Sequence, residues 1–197
     1  MSKQTALPTR EKILETTIDL INREGLRGIT TRKISSAAGV NIASINYHFR
    51  SKNALIQKAL AETLEALMKM PAESLDRTDL DPQERLLNFF LALMEGGIAW
   101  PGVAKAYLYE PLMKNNYETP FVRRFNDFIA ELMSKLKGIR FKNGDANPRL
   151  VFIQVLSAAI FPVLMPRLFC GFAGADFSDP ALRRAYAVDL LARYFET

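Results

Sequence analysis

Histidine, cysteine and tryptophan each occur once in the 197 residues, as His48, Cys170 and Trp100. A single thiol leaves no internal disulfide framework and no Cys-rich zinc site, and it fits a reducing cytoplasm. A single imidazole excludes a histidine-based metal cluster, so no metal or other cofactor is expected. Gly-rich phosphate loops and nucleophile elbows are missing too. Ser44 stands four residues before His48, as a nucleophile and its base could, but no carboxylate lies nearby in sequence to orient the pair and the surroundings are basic. An enzyme is not expected.

The chain also lacks a long apolar span. Its most apolar run, Leu150 to Pro166, has 17 residues, includes Gln154 and Ser157, and lies between Arg149 and Arg167; a bilayer crossing needs ~20. That run reads as a buried helix, with no membrane partner. The first residues, MSKQTALPTREK, have no apolar core after their positive charge and do not read as a secretion signal. Strand-like alternation is absent as well, which points to an all-α chain.

What is present is unevenly placed. Hydrophobic residues are 49% and charged residues 24% of the chain, an ordinary globular balance. Residues 1–53 hold nine basic and four acidic side chains while the remainder holds 17 of each, so the whole net charge of +5 sits in the first quarter. Such a distribution is expected where that part alone meets a polyanion.

Helix signals fill the same region. Thr9 precedes a run whose Ile13, Leu14, Thr17, Ile18 and Ile21 recur at helical spacing, and Gly25 closes it. Thr30 opens a short helix stopped by Gly39, Asn41 can cap a third over IASINYHF, and Ser51 a fourth from Lys52 to about Met70, ahead of Pro71. A short helix, a turn containing glycine and a second short helix form a helix-turn-helix layout. On a helical wheel Ile42, Ile45 and Phe49 fall within roughly a 60° arc. Ala43, Ser44 and Tyr47 lie opposite, a small and hydroxyl-bearing face suited to approaching base edges and phosphates.

The run ITTRKISSAAGVNIASINYHFRSKNAL, residues 29–55, resembles the signature of the TetR family of bacterial transcriptional repressors. Thr30, Arg32, Ile34, Ala38, Gly39, Val40, His48, Phe49, Ser51, Lys52 and Leu55 stand at matching positions. Four positions depart: Asn41 stands where serine is usual, Ala43 where glycine is, Ile45 where leucine is, and Asn46 where a tyrosine is. Asparagine caps as well as serine and Ala43 is still small, whereas Asn46 removes one common phosphate contact that Tyr47 is placed to supply. The resemblance implies that Thr31 and Arg32 hold phosphates at the start of their helix. It implies that Asn41, Ile42, Ala43, Ser44 and Tyr47 face the major groove, that Asn46 belongs to the DNA-binding set, and that His48 and Lys52 grip the backbone.

Residues 1–51 are therefore expected to form a three-helix, helix-turn-helix DNA-binding domain. Residues 52–197 are expected to form a larger helical domain for effector binding and dimerisation. Leu55, Ala59, Leu60, Thr63, Leu64, Leu67 and Met68 stripe its first helix. Further helices are expected near Pro82–Met94, Val103–Lys114, Pro120–Lys137, Pro148–Phe169 and Pro180–Phe195, several opened by proline where its missing N–H costs nothing. The last helix has two apolar faces, Val188, Leu191, Ala192 and Phe195 against Leu182, Tyr186 and Leu190. One can cover the chain's own core; with the apolar helix from Pro148, the other suggests a homodimer through residues 148–169 and 180–195, the family's arrangement.

The helical domain is rich in side chains able to line a cavity for an apolar or aromatic effector. The candidates are Phe90, Met94, Trp100, Tyr107, Glu110, Met113, Phe125, Phe128, Phe152 and Phe161, with a break between helices expected at GGIAWPG as an entry. Aromatic residues at helical spacing also serve as plain core. By family habit the protein is expected to repress, binding a palindromic operator as a dimer and leaving it on effector binding. A helix-turn-helix scaffold without an effector is the alternative.

Overall fold

The computed structural model of the chain describes residues 8–136, 139–144 and 147–196. Among them ordered structure is helical: α1 (Thr9–Glu24), a 3-10 turn (Leu26–Gly28), α2 (Thr31–Ala38), α3 (Ile42–Phe49), α4 (Lys52–Leu75), α5 (Pro82–Ala99), α6 (Pro101–Lys114), α7 (Pro120–Lys135), α8 (Pro148–Leu164), α9 (Cys170–Ala173) and α10 (Pro180–Tyr194). The one extended pairing among these residues is an isolated antiparallel bridge between Phe141 and Phe195. The all-α fold with an N-terminal helix-turn-helix follows from the sequence as expected.

The helices form two compact units. The first comprises the described residues of Met1–Glu65 together with Gly102–Phe121; the second comprises Ala66–Pro101 and the described residues of Val122–Thr197. This division does not follow the 51/52 boundary suggested by the motif. The first half of α4 and nearly all of α6 join the helix-turn-helix, and Leu55, Ala59, Leu64, Val103, Ala106 and Tyr107 are buried.

In the first unit α1 buries Ile13, Leu14, Thr17, Leu20 and Ile21, the spacing of one helical face. Thr9 is its first helical residue and not its cap: Pro8 precedes it, and the Pro8 carbonyl accepts from Lys12 N–H at 3.0 Å. Gly25 ends the helix at φ 70°, where a Cβ would be strained. Beyond it, α6 comes close to the end of α1. Gly102 N–H donates to Asn22 Oδ1 at 3.0 Å, and a Cβ on Gly102 would lie 2.2 Å from the Asn22 carbonyl oxygen.

α4 runs past its expected end. It passes through Pro71 to Leu75, both buried. A proline inside a helix costs a hydrogen bond and a steric clash, and the burial of these two side chains offsets that here. α5 likewise runs through Gly96 and Gly97 to Ala99, so the break falls only at Trp100. These glycines belong to packing: a Cβ on Gly97 would lie 2.7 Å from Val163 Cγ2 of α8.

The second unit is built on phenylalanine. Phe89 meets Phe90 edge-on at 5.0 Å, and Phe152 and Phe128 lie 6.5 Å and 6.3 Å from Phe89. Each such ring contributes about 2–3 kcal/mol by leaving water. Asp81, Asn147 and Asp179 cap α5, α8 and α10 ahead of their prolines. α8 ends at Leu164, short of the expected Phe169, and α7 ends at Lys135; Lys137 lies outside the described residues.

The buried stripe of α10 differs from the expected faces. It runs through Arg183, Ala187 and Leu191, while Val188 is exposed. Arg183 is accommodated because its guanidinium donates to the Phe177 and Ser178 carbonyls and pairs with Glu95. A wheel scored by residue type places an arginine outside; hydrogen bonds from a neighbouring loop place this one inside. No single helix among the described residues is long and apolar enough to cross a membrane.

Replacing Gly102 with alanine sets a side chain against backbone atoms that cannot rotate away. The expected cost is roughly 1–3 kcal/mol, seen as a fall in Tm of roughly 2–12 °C by circular dichroism; an unchanged Tm would mean that α1 and α6 part freely.

Candidate nucleic-acid interface

α2 and α3 owe their placement to caps and to a glycine. Thr30 Oγ1 accepts from Lys33 N–H at 3.1 Å, which starts α2. Gly39 ends it in the left-handed conformation, φ 63° and ψ 36°, so the chain turns within two residues. Asn41 Oδ1 then accepts from both the Ser44 N–H at 2.7 Å and the Ser44 hydroxyl at 2.9 Å, starting α3. Ser51 Oγ accepts from Ala54 N–H and opens α4.

Side chains of α3 divide sharply between inside and outside. Ile45 and Phe49 are buried, and the Arg10 guanidinium lies over the Phe49 ring at 5.3 Å. Asn41, Ala43 and Asn46 are exposed, Ser44 and His48 are half-buried, and Tyr47 is 84% exposed. The Tyr47 ring leans edge-on against His48 at 5.0 Å. Ile42, which the wheel set beside the inner pair, is 44% exposed. At the first turn of a short helix the core does not reach it, which leaves its side chain to the outer face. Arg32 is exposed and Thr31 half-buried at the start of α2.

Lys52 stands apart from this set. It is half-buried, and its Nζ donates to the Ile29 carbonyl at 3.3 Å, tying the start of α4 to the segment before α2. Lys33 is engaged as well, 2.6 Å from Glu24. Arg50, which the motif did not single out, is exposed at φ 64° directly after α3. The signal for it was its place at a helix stop, which spacing alone does not weigh.

The ten expected cavity residues do not converge. Phe90, Met94, Phe128 and Phe152 are fully buried in the second unit's core. Trp100 and Phe125 are half-buried, while Met113 and Phe161 are 64% and 47% exposed. Tyr107 and Glu110 do share a feature, a groove of about 690 Å³ in the first unit. Leu26, Ile56, Leu60, Ala61, Leu64 and Phe121 supply its apolar walls.

At the groove Tyr107 stacks on Phe121 with ring centres 5.0 Å apart. Its hydroxyl donates to the Leu60 carbonyl at 2.9 Å and lies 2.6 Å from Thr63 Oγ1. Burial pushes the Tyr107 phenol upward, so it stays a neutral donor. The hydrogen bond from Lys114 at 2.7 Å, helped by Asn116, holds the Glu110 carboxyl below its ordinary range, so it stays ionised. Among the described residues no three His, Cys, Asp or Glu side chains gather as a metal site would require.

Comparison with known proteins bears on this geometry. The family described as "Bacterial regulatory proteins, tetR family" matches residues 13–59. YttP of Bacillus subtilis, named a probable HTH-type transcriptional regulator, is 30% identical over 87 residues, 44% of this chain and 42% of that protein. YvkB of the same strain, an uncharacterized HTH-type transcriptional regulator, is 24% identical over 169 residues, 83% of this chain and 85% of that one. The structure of the ketosteroid transcriptional regulator KstR2 of Mycobacterium tuberculosis superposes with a TM-score of 0.67 over 98% of both chains at 20% identity, a likeness of fold.

Asn41→Ala removes the acceptor that starts α3 and should cost ~1 kcal/mol, with Asn41→Ser restoring it; urea denaturation reads both, and a neutral Asn41→Ala would remove the cap from the account of α3.

Proposed function

The chain belongs to the tetR family of bacterial transcriptional regulators, matched through residues 13–59, and from that premise we propose that it is a cytoplasmic, ligand-responsive repressor that binds a palindromic operator as a homodimer. The observation that carries the reading is α3: one face locked inward by Ile45 and Phe49, the other presenting Ile42, Ala43, Asn46 and Tyr47 to solvent. Small residues beside one exposed tyrosine let a helix lie close to a groove floor and still reach base edges or phosphates.

In this proposal Asn41, Ile42, Ala43, Ser44, Asn46 and Tyr47 read the operator. Thr31, Arg32 and His48 hold phosphates, and Arg50 joins them. Lys52 acts first by holding α4 to Ile29 and thereby setting the attitude of the helix-turn-helix. Phosphate contacts supply affinity and its salt dependence; the reading face supplies sequence preference.

Dimerisation is assigned to α8 and α10. Leu150, Ile153 and Phe161 are exposed along α8, Met165 is exposed just past its end, and Val188 is exposed on α10. Paired across a two-fold axis, two copies would present two α3 helices to successive half-sites. Of the expected effector residues, Tyr107 and Glu110 line open space, while Phe90, Met94, Phe128 and Phe152 serve as core. The effector acts by preferring one arrangement of the helices around it, and so changes the population able to bind DNA. α4, unbroken from Lys52 to Leu75, is the element that carries the change.

Duplex binding measured against salt should give a log–log slope of about −5 or steeper, as ~6 phosphate contacts require; a slope near zero would reject the DNA-binding reading. Tyr47→Ala should weaken binding to a selected operator at least severalfold while stability stays within about 0.5 kcal/mol of wild type, and full retained affinity would count against the assigned face. Ile153→Glu should yield monomers by light scattering and lose operator affinity; a stable Ile153→Glu dimer would move the interface elsewhere.

A further inference from the structure

We infer that the groove of the first unit binds an anionic amphiphile, a molecule with an apolar body and a carboxylate or sulfonate head, seated between α4 and α6. The inference rests on the ligand-responsive reading and gives it a site and a ligand chemistry.

The walls decide the body of the ligand. Leu60, Leu64 and Ile56 of α4, Leu26 of the 3-10 turn, and Phe121 leave an apolar surface around about 690 Å³, within the range of small-molecule sites. The polar atoms on the floor are already matched. Tyr107 donates to the Leu60 carbonyl, and Thr63 Oγ1 lies within 3.0 Å of the Ala59 and Leu60 carbonyls. A ligand group directed at the Tyr107 hydroxyl would find it engaged, and the apolar walls suit an apolar body.

The rim decides the head. Glu110 is already taken by Lys114 and Asn116, which makes it a poor counter-ion for a cationic ligand. Lys58 is paired with Glu62 at 3.2 Å, an exposed pair one helical turn apart like Glu110–Lys114 but longer than its 2.7 Å and without the second donor that Asn116 gives Glu110. Such pairs are worth a few tenths of a kcal/mol, so Lys58 is readily redirected to a ligand anion, with the Gln57 amide beside it.

The position of the groove gives binding a route to the DNA face. Leu26 touches the site and lies three residues before Ile29, whose carbonyl anchors Lys52. Seating a ligand against Leu26 therefore bears on the segment that holds α2 and on the α4 start together.

The test uses the full-length protein and the fluorescent anionic amphiphile 1-anilinonaphthalene-8-sulfonate, with thioflavin T as a cationic counterpart. Ala61 is exposed and lines the groove, so Ala61→Trp fills the space without disturbing the core. Expected results are saturable uptake of the anionic dye, a loss of about tenfold in its affinity for Ala61→Trp, a severalfold loss for Lys58→Met, and weaker uptake of thioflavin T. Unchanged dye affinity in an Ala61→Trp protein of wild-type helicity and Tm would overturn the site, and equal or tighter binding of thioflavin T would overturn the ligand class. If Ala61→Trp proves unstable, Gln57→Trp at the exposed rim makes the same test. Duplex binding is measured alongside. Dye uptake in the groove without salt-dependent duplex binding removes the regulator and keeps the site; duplex binding with dye uptake indifferent to Ala61→Trp removes the site and keeps the regulator.

Discussion

The burial of Ile45 and Phe49 is the constraint on which the exposed face of α3, the candidate DNA-binding surface, depends. A helix of eight residues is too short to persist alone in water, so α3 exists because two of its side chains are held by its neighbours. Once they are held, the outward direction of Asn46 and Tyr47 has no remaining freedom. The caps at Thr30 and Asn41 and the left-handed turn at Gly39 position the start of the helix, and the two buried side chains fix its rotation.

The first unit is more than a helix-turn-helix, because α6 is part of it. Three contacts join α6 to its neighbours: Gly102 on the end of α1, the Arg27 guanidinium near the Tyr109 ring, and Tyr107 on the α4 backbone. Between these contacts the packing is incomplete, and the groove lies there. α6 thus joins both α1 and α4 and leaves open space beside it. In the second unit Phe90, Met94, Phe128 and Phe152, expected to line a cavity, are fully buried, with Phe89 interlocking the phenylalanine rings.

Much of the framework of the candidate site was legible from spacing. Thr30, Gly39 and Asn41 were identifiable because capping and left-handed turns are local events, decided by three or four consecutive residues. Ile45 and Phe49 were legible because a helical repeat reports one buried face. Errors arose where local rules met tertiary packing. Pro71 and the Gly96–Gly97 pair read as helix ends and became helix interior, because buried neighbours outweighed a local penalty. Arg183 stood on neither expected apolar face of α10 and is core, because its partners come from a loop and from α5. Lys52, expected to grip the DNA backbone, also donates to the Ile29 carbonyl 23 residues away in sequence, a bond that spacing does not report and that leaves its other N–H donors for the expected contact.

By itself the sequence determined the helical class, the localised positive charge, and the order of caps, turn and outward residues around His48, since each depends on neighbours within a turn or two of helix. Only the tertiary structure decided which aromatic residues are core and which border open space, that α6 joins the unit of the helix-turn-helix, and where Lys52 and Arg183 find partners. Those outcomes turn on how well distant surfaces fit, and fit between distant surfaces is a property of the packed volume and not of any one stretch of chain.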